Sequence, residues 1–138
     1  MIMSNFNDID LYITESGDLM LDSDGDLATV TDVDYVTQTV INRLKSCSSD
    51  WFYDETGADV EVSIGQKNTY ENTEALVDRI ISSMTKDEFC SIEDLVVIAK
   101  PITNTSVLLL ISVNIPFADT VNFKLELNFL TGYKITIV

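Results

Sequence analysis

The stretch VNFKLELNFLTGYKITIV, residues 121–138, decides the fold. Val121, Phe123, Leu125, Leu127 and Phe129 alternate with Asn122, Lys124, Glu126 and Asn128. Such alternation marks a strand with one face buried and one face wet. Thr131-Gly132 reads as a turn, because glycine supplies the backbone freedom a tight turn needs. Tyr133 to Val138 then reads as a final strand, with Tyr133, Ile135 and Ile137 on one face and Lys134 and Thr136 on the other. The two strands form a hairpin, so this part of the chain is antiparallel sheet.

Two more strands precede it: DLVVIAK (Asp94 to Lys100) and VLLLISVNI (Val107 to Ile115). Pro101 and Pro116 fall at strand ends, where a missing N–H costs little. Further upstream the apolar period changes to that of a helix. Val33, Val36, Val40, Leu44 and Cys47 recur at steps of three or four behind Thr31, which has an acid, Asp34, at capping-box spacing. A second helix runs to about Lys86 on Leu76, Ile80 and Met84; Asn68, Thr69, Asn72 and Thr73 are all candidate caps. Between the helices, residues 51–68 have no period and read as an ordered connection anchored by Trp51 and Phe52.

At the other end, Asp10-Leu11, Asp18-Leu19 and Asp26-Leu27 recur every eight residues with Gly17 and Gly25 between them. Leu11, Ile13, Leu19, Leu21 and Leu27 alternate with polar residues, which predicts a small β-meander. The whole is therefore an α+β fold: a mixed, mainly antiparallel sheet, two helices packed on one face, and an N-terminal β-meander. Residues 1–138 are read as a single domain, with the meander at 10–30, the two-helix region and its long loop at 31–90, and the C-terminal sheet at 92–138.

Apolar residues make up 46% of the chain, enough for a core in 138 residues. The formal net charge is -15, from 23 acids and 8 bases. That balance argues against gripping nucleic acid through its phosphates. The charge is uneven: residues 1–61 hold 14 acids and two bases, and residues from Val121 onward are close to neutral. The C-terminal strands are thus where another chain approaches with least repulsion. The N-terminus lacks the basic and apolar regions of a signal peptide, and the longest apolar run is too short to span a bilayer, so the expected compartment is a cytoplasm and no membrane is involved.

Histidine is absent, which removes the commonest general base and transition-metal ligand. Cys47 and Cys90 lie in apolar-periodic segments and read as reduced core thiols. Asp22, Asp24 and Asp26 match the start of a calcium loop, but the glycine and the distal glutamate of that motif fall on Leu27 and Val33. A solvated turn is the better reading. Asp54, Glu55, Asp59 and Glu61 supply carboxylates that a glycosidase could use, yet none stands in the apolar setting a general acid needs. No catalytic residue, cofactor or metal ligand is therefore expected; the alternatives weighed are a lysozyme-like peptidoglycan hydrolase using the loop carboxylates and a calcium-binding module. The last strand is different in kind. A strand there is easily left at a sheet edge and used for strand addition; an ordinary strand inside a closed sheet is the competing reading.

Three stretches in order carry a resemblance: Gly25-Asp26-Leu27-Ala28 before the first helix; Trp51-Phe52-Tyr53-Asp54, then Gly57 and Gly65, after it; and the Asp94-Leu95 strand after the second helix. In this order and spacing, from about Asp18 to Ile115, the chain resembles the baseplate wedge and sheath-initiator family of contractile phage tails, whose members are often labelled lysozyme-like. The resemblance implies a structural protein present in several copies around the tail axis, in the virion after assembly in the host cytoplasm. It implies docking on baseplate wedge proteins, through Trp51, Tyr53, Asp54 and Glu55, and contact with the central hub or tube. It implies that Tyr133, Lys134, Ile135, Thr136, Ile137 and Val138 join strands of the tail sheath protein and template the first sheath ring. The best-known members carry a Glu-Pro-Arg triplet after the first helix. This chain has Asp54-Glu55-Thr56-Gly57 there, so that contact is not carried over.

Overall fold

A computed structural model describes residues 5–50 and 56–138. Its main sheet has four strands: β3 (Leu95–Thr103), β4 (Ser106–Val113), β5 (Val121–Asn128) and β6 (Gly132–Ile137). They lie in the order β3-β4-β5-β6, and every pairing is antiparallel. Two helices, α1 (Asp32–Lys45) and α2 (Tyr70–Thr85), cover one face. A separate two-stranded pairing, β1 (Asp10–Leu11) with β2 (Thr29–Val30), forms the base of an N-terminal arm. The architecture is α+β, as the sequence pattern predicts.

The alternation along β5 works as written. Phe123, Leu125 and Leu127 are buried, and they stand opposite Ile111, Leu109 and Val107 of β4. On the other side they meet Ile137, Ile135 and Tyr133 of β6. These inward residues, Ile137 at the open end of β6 apart, merge with Val36, Val40 and Leu44 of α1 and Leu76, Ile80 and Met84 of α2 into one core. Each such side chain contributes about 1.5–3 kcal/mol when fully buried.

The ends of the elements depart from the sequence reading. β3 continues through Pro101 to Thr103 instead of stopping at Lys100. It can do so because β3 is an edge strand and the proline nitrogen points away from β4, so no ladder bond is lost. Thr31 is the N-cap of α1, but its hydroxyl accepts no backbone N–H; Asp32 beside it takes φ 54°, outside the geometry a capping box requires. The candidate caps of α2 resolve to Thr69, whose hydroxyl accepts from the Asn72 N–H at 3.2 Å. The apolar stripe of α1 ends with the helix at Lys45, so Cys47 lies beyond it and is only half-buried, unlike Cys90.

Arg43 occupies a buried place on that stripe. Its guanidinium donates to the carbonyls of Ser83 at 2.5 Å and Lys86 at 2.9 Å and lies 4.9 Å from the centre of the Phe89 ring. α2 has no basic residue in its own last turn, and Arg43 supplies that cation from the neighbouring helix. Phe89 also packs edge-on against Phe6 and Tyr35.

The described part of the long connection is ordered, as expected. The Ala58 N–H donates to Arg43 O at 2.9 Å, and the Gly65 N–H to Phe129 O at 2.6 Å. Gly57 presses against the backbone of Cys47, where a Cβ would sit 2.4 Å from the carbonyl carbon. Trp51 and Phe52, expected to anchor this segment, lie outside the described residues.

Candidate functional site

The open edges of the main sheet are the places to look for strand addition, because an edge leaves backbone donors and acceptors unused. Which groups are unused follows from the register. The Val138 N–H donates to Asn122 O at 2.9 Å, so these two residues form a hydrogen-bonded pair. Such pairs alternate along an antiparallel ladder. Lys134 and Thr136 therefore turn their backbone groups to Glu126 and Lys124 of β5, while Tyr133, Ile135 and Ile137 turn theirs outward. Among the described residues none of those outward N–H and C=O groups finds a partner.

The opposite edge is managed differently. By the same reasoning Asn114 donating to Asp94 O sends the groups of Leu95, Val97 and Ala99 outward on β3. But that edge has a register shift between Pro101 and Thr103 and a proline with no N–H to offer. Each device discourages pairing. On β6 the one charged side chain is Lys134, and it stands on the wet face of the sheet.

The open side of β6 borders a groove of about 940 Å³. Ile135, Thr136 and Ile137 form one wall, Tyr12 to Glu15 of the arm form the other, and Thr37, Gln38 and Ile41 of α1 form the floor. No residue of β5 lines it, so it lies on the edge side of β6. Gln38 stands in this floor and ties down the arm: its Nε2 donates to Leu11 O at 2.7 Å, and its Oε1 accepts from the Ile13 N–H at 2.9 Å. One amide bonding to residues two apart imitates one residue of a parallel neighbouring strand. The arm wall of the groove therefore already accepts strand-like hydrogen bonding.

Five of the six expected sheath-contact residues, Tyr133 to Ile137, are brought together in β6, and Val138 extends the strand. Tyr133 and Ile135 are half-buried; Ile137 and Val138 are exposed. The Tyr133 phenol is pushed above its ordinary range, by burial first and then by Glu61 and Cys47 nearby. Of the residues expected at the wedge, Trp51, Tyr53, Asp54 and Glu55 all lie outside the described residues.

The acidic repeat is a repeat of turn geometry. In each half, Gly17 or Gly25 takes a positive φ and donates to the carbonyl of Thr14 or Asp22. Thr14 and Asp22 then accept the N–H of Asp18 and Asp26 on their side chains, at 3.1 and 3.0 Å. Asp22 Oδ1 also accepts from the Asp24 N–H at 2.9 Å. The carboxylate that would begin a calcium loop is thus engaged by backbone. No cluster of three or more metal-binding side chains occurs among the described residues, and none of their helices is long and apolar enough to cross a membrane.

Cys47 is the nucleophilic group missed as a surface feature. Its Sγ lies 3.9 Å from Glu61 Oε2, and its thiol is held above the usual range by partial desolvation and by Asp50, Asp59 and Glu61. Such a thiol is a poor nucleophile. Comparison with protein-family models, with curated proteins and with solved structures returns no match for this chain.

Proposed function

We propose that this chain is a non-enzymatic baseplate component of a contractile tail, which docks on the wedge and starts the sheath by lending the β6 edge to a strand of the sheath protein. The observation that carries this reading is the outward set of backbone groups on Tyr133, Ile135 and Ile137, beside a groove open to solvent. The resemblance of residues 18–115 to sheath initiators supplies the partner. The groove supplies a bed in which an added strand would meet β6 on one side and the arm on the other.

The energetics suit assembly in copies. Each backbone bond gained is worth about 1 kcal/mol net. Covering Ile135 and Ile137 adds about 1.5–3 kcal/mol for each that is fully buried. One such contact is modest; several around a ring reinforce one another through effective concentration.

Proline at 137 tests the reading. It removes one outward N–H and obstructs an added strand, while the bonds of β6 to β5 remain. Ile137→Pro should melt close to the parent protein yet fail to seed sheath rings from purified sheath protein, whereas Ile137→Val should seed them. Seeding by a folded Ile137→Pro protein at the parent rate overturns the proposal.

A further inference from the structure

The arm is built to be covered. Of its apolar residues, Leu19 is 52% and Leu21 65% exposed, and Leu11, Ile13 and Leu27 are exposed as well. Alternating strands normally put such residues against a body. Here they project from an arm whose residues 8–30 hold seven acids and no base. An apolar, strongly acidic projection of this kind marks a contact with another molecule.

The outward face of the main sheet has the complementary character. Val96 is 51%, Ile98 56% and Leu110 41% exposed, and Ile98 stands directly opposite Leu110. Lys100, Lys124 and Lys134 share this face with a single acid, Glu126, so it is basic on a chain of net charge -15. Glu126 is held below the ordinary carboxylate range by its hydrogen bond and ion pair with Lys124, with Lys134 adding to the effect. A depression of about 660 Å³ between Ile102, Leu108 and Lys134 gives the face a concave end.

We infer that the occupant of this face is the acidic arm of a second copy of the same chain. Both patches are apolar, their charges are opposite, and they occupy different surfaces of one molecule. A contact between two different patches of identical chains is head-to-tail, and it repeats into a ring when the rotation closes. This goes beyond the strand-addition reading: it joins copies to one another through the sheet face, and leaves the β6 edge free.

Sedimentation velocity on the purified full chain tests it, over a concentration series at low and high salt. Self-association should appear at low salt and weaken by about tenfold or more at high salt. Leu21→Lys in the arm and Ile98→Lys on the face should each abolish it, with unchanged circular dichroism because both side chains are exposed. Complementation gives the decisive arm. The Leu21→Lys chain keeps an intact face and the Ile98→Lys chain an intact arm. Each alone should be monomeric, and their mixture should form a dimer that grows no further, because only one arm-face contact is left. A parent chain that stays monomeric throughout overturns the inference, as does association indifferent to these substitutions. An arm that binds sheath protein while the chain remains monomeric also overturns it.

Discussion

Gln38 and Ile13 are joined across the groove floor: the side-chain Oε1 of one accepts the backbone N–H of the other at 2.9 Å. With the companion bond from Nε2 to Leu11 O, this clasp fixes the arm to α1. It matters because the arm buries almost nothing of its own. Gln38→Leu should therefore loosen the arm and leave the core alone. Two lost bonds, at roughly 0.5–1 kcal/mol each at this exposed site, correspond to about a 5–30-fold faster amide exchange at Ile13. Exchange at Leu109 and Ile111 should not change. Equal protection of Ile13 in parent and variant would show that the clasp holds nothing.

Arg43 is a buried cation that caps a helix other than its own. Arg43→Met keeps much of the apolar stem but takes the guanidinium from the Ser83 carbonyl and leaves Lys86 O with the Phe89 N–H alone, at 3.3 Å. A loss of about 2–4 kcal/mol is expected, since removing one partner strands the other. Denaturant unfolding measures it; a loss below about 1 kcal/mol contradicts the capping role.

Gly57 has no room for a side chain against the Cys47 backbone. Gly57→Ala should destabilise by more than about 2 kcal/mol, because the neighbour that must yield is main chain and not a flexible side-chain tip. Gly17→Ala is the comparison: a Cβ there meets nothing, and only its positive φ resists. Its cost should be near 1 kcal/mol. Equal costs in thermal melts would remove the packing explanation.

Cys47 gives a pH prediction with a definite sign. Its folded pKa is raised, by desolvation first and by Asp50, Asp59 and Glu61 after it. The folded state therefore keeps the proton to higher pH than the unfolded chain. The associated stability is fully present below the unfolded thiol pKa and is lost as pH rises through the folded one. Alkylation by iodoacetamide should show a midpoint above that of the unfolded chain, and Glu61→Gln should lower it. A folded midpoint at or below the unfolded value contradicts the assigned field.

Much of this molecule is legible in the chain because β5 alternates without a break and α2 places Leu76, Ile80 and Met84 one turn apart. What was not legible has physical causes. Alternation in residues 11–27 looks the same whether the apolar face is covered or bare, so the exposure of Leu21 could not be read from it. Pro101 reads as a strand end until the strand is known to be an edge. The clasp by Gln38 joins residues 25 and 27 positions apart and leaves no local signal. Arg43 did leave one: it follows Val36 and Val40 on the buried stripe, at a spacing that places a cation in the core. At the candidate site, the strand was visible, but its edge position depends on sheet order, which periodicity does not encode.

Amide hydrogen exchange along β6 tests the central claim most directly. In the free protein the N–H groups of Tyr133, Ile135 and Ile137 should exchange fast, while those of Lys134 and Thr136, bonded to β5, are protected. On addition of purified sheath protein, all five should become protected. If Tyr133, Ile135 and Ile137 are already protected in the free chain, or stay fast in an assembled sheath complex, β6 is not the edge that the sheath takes up.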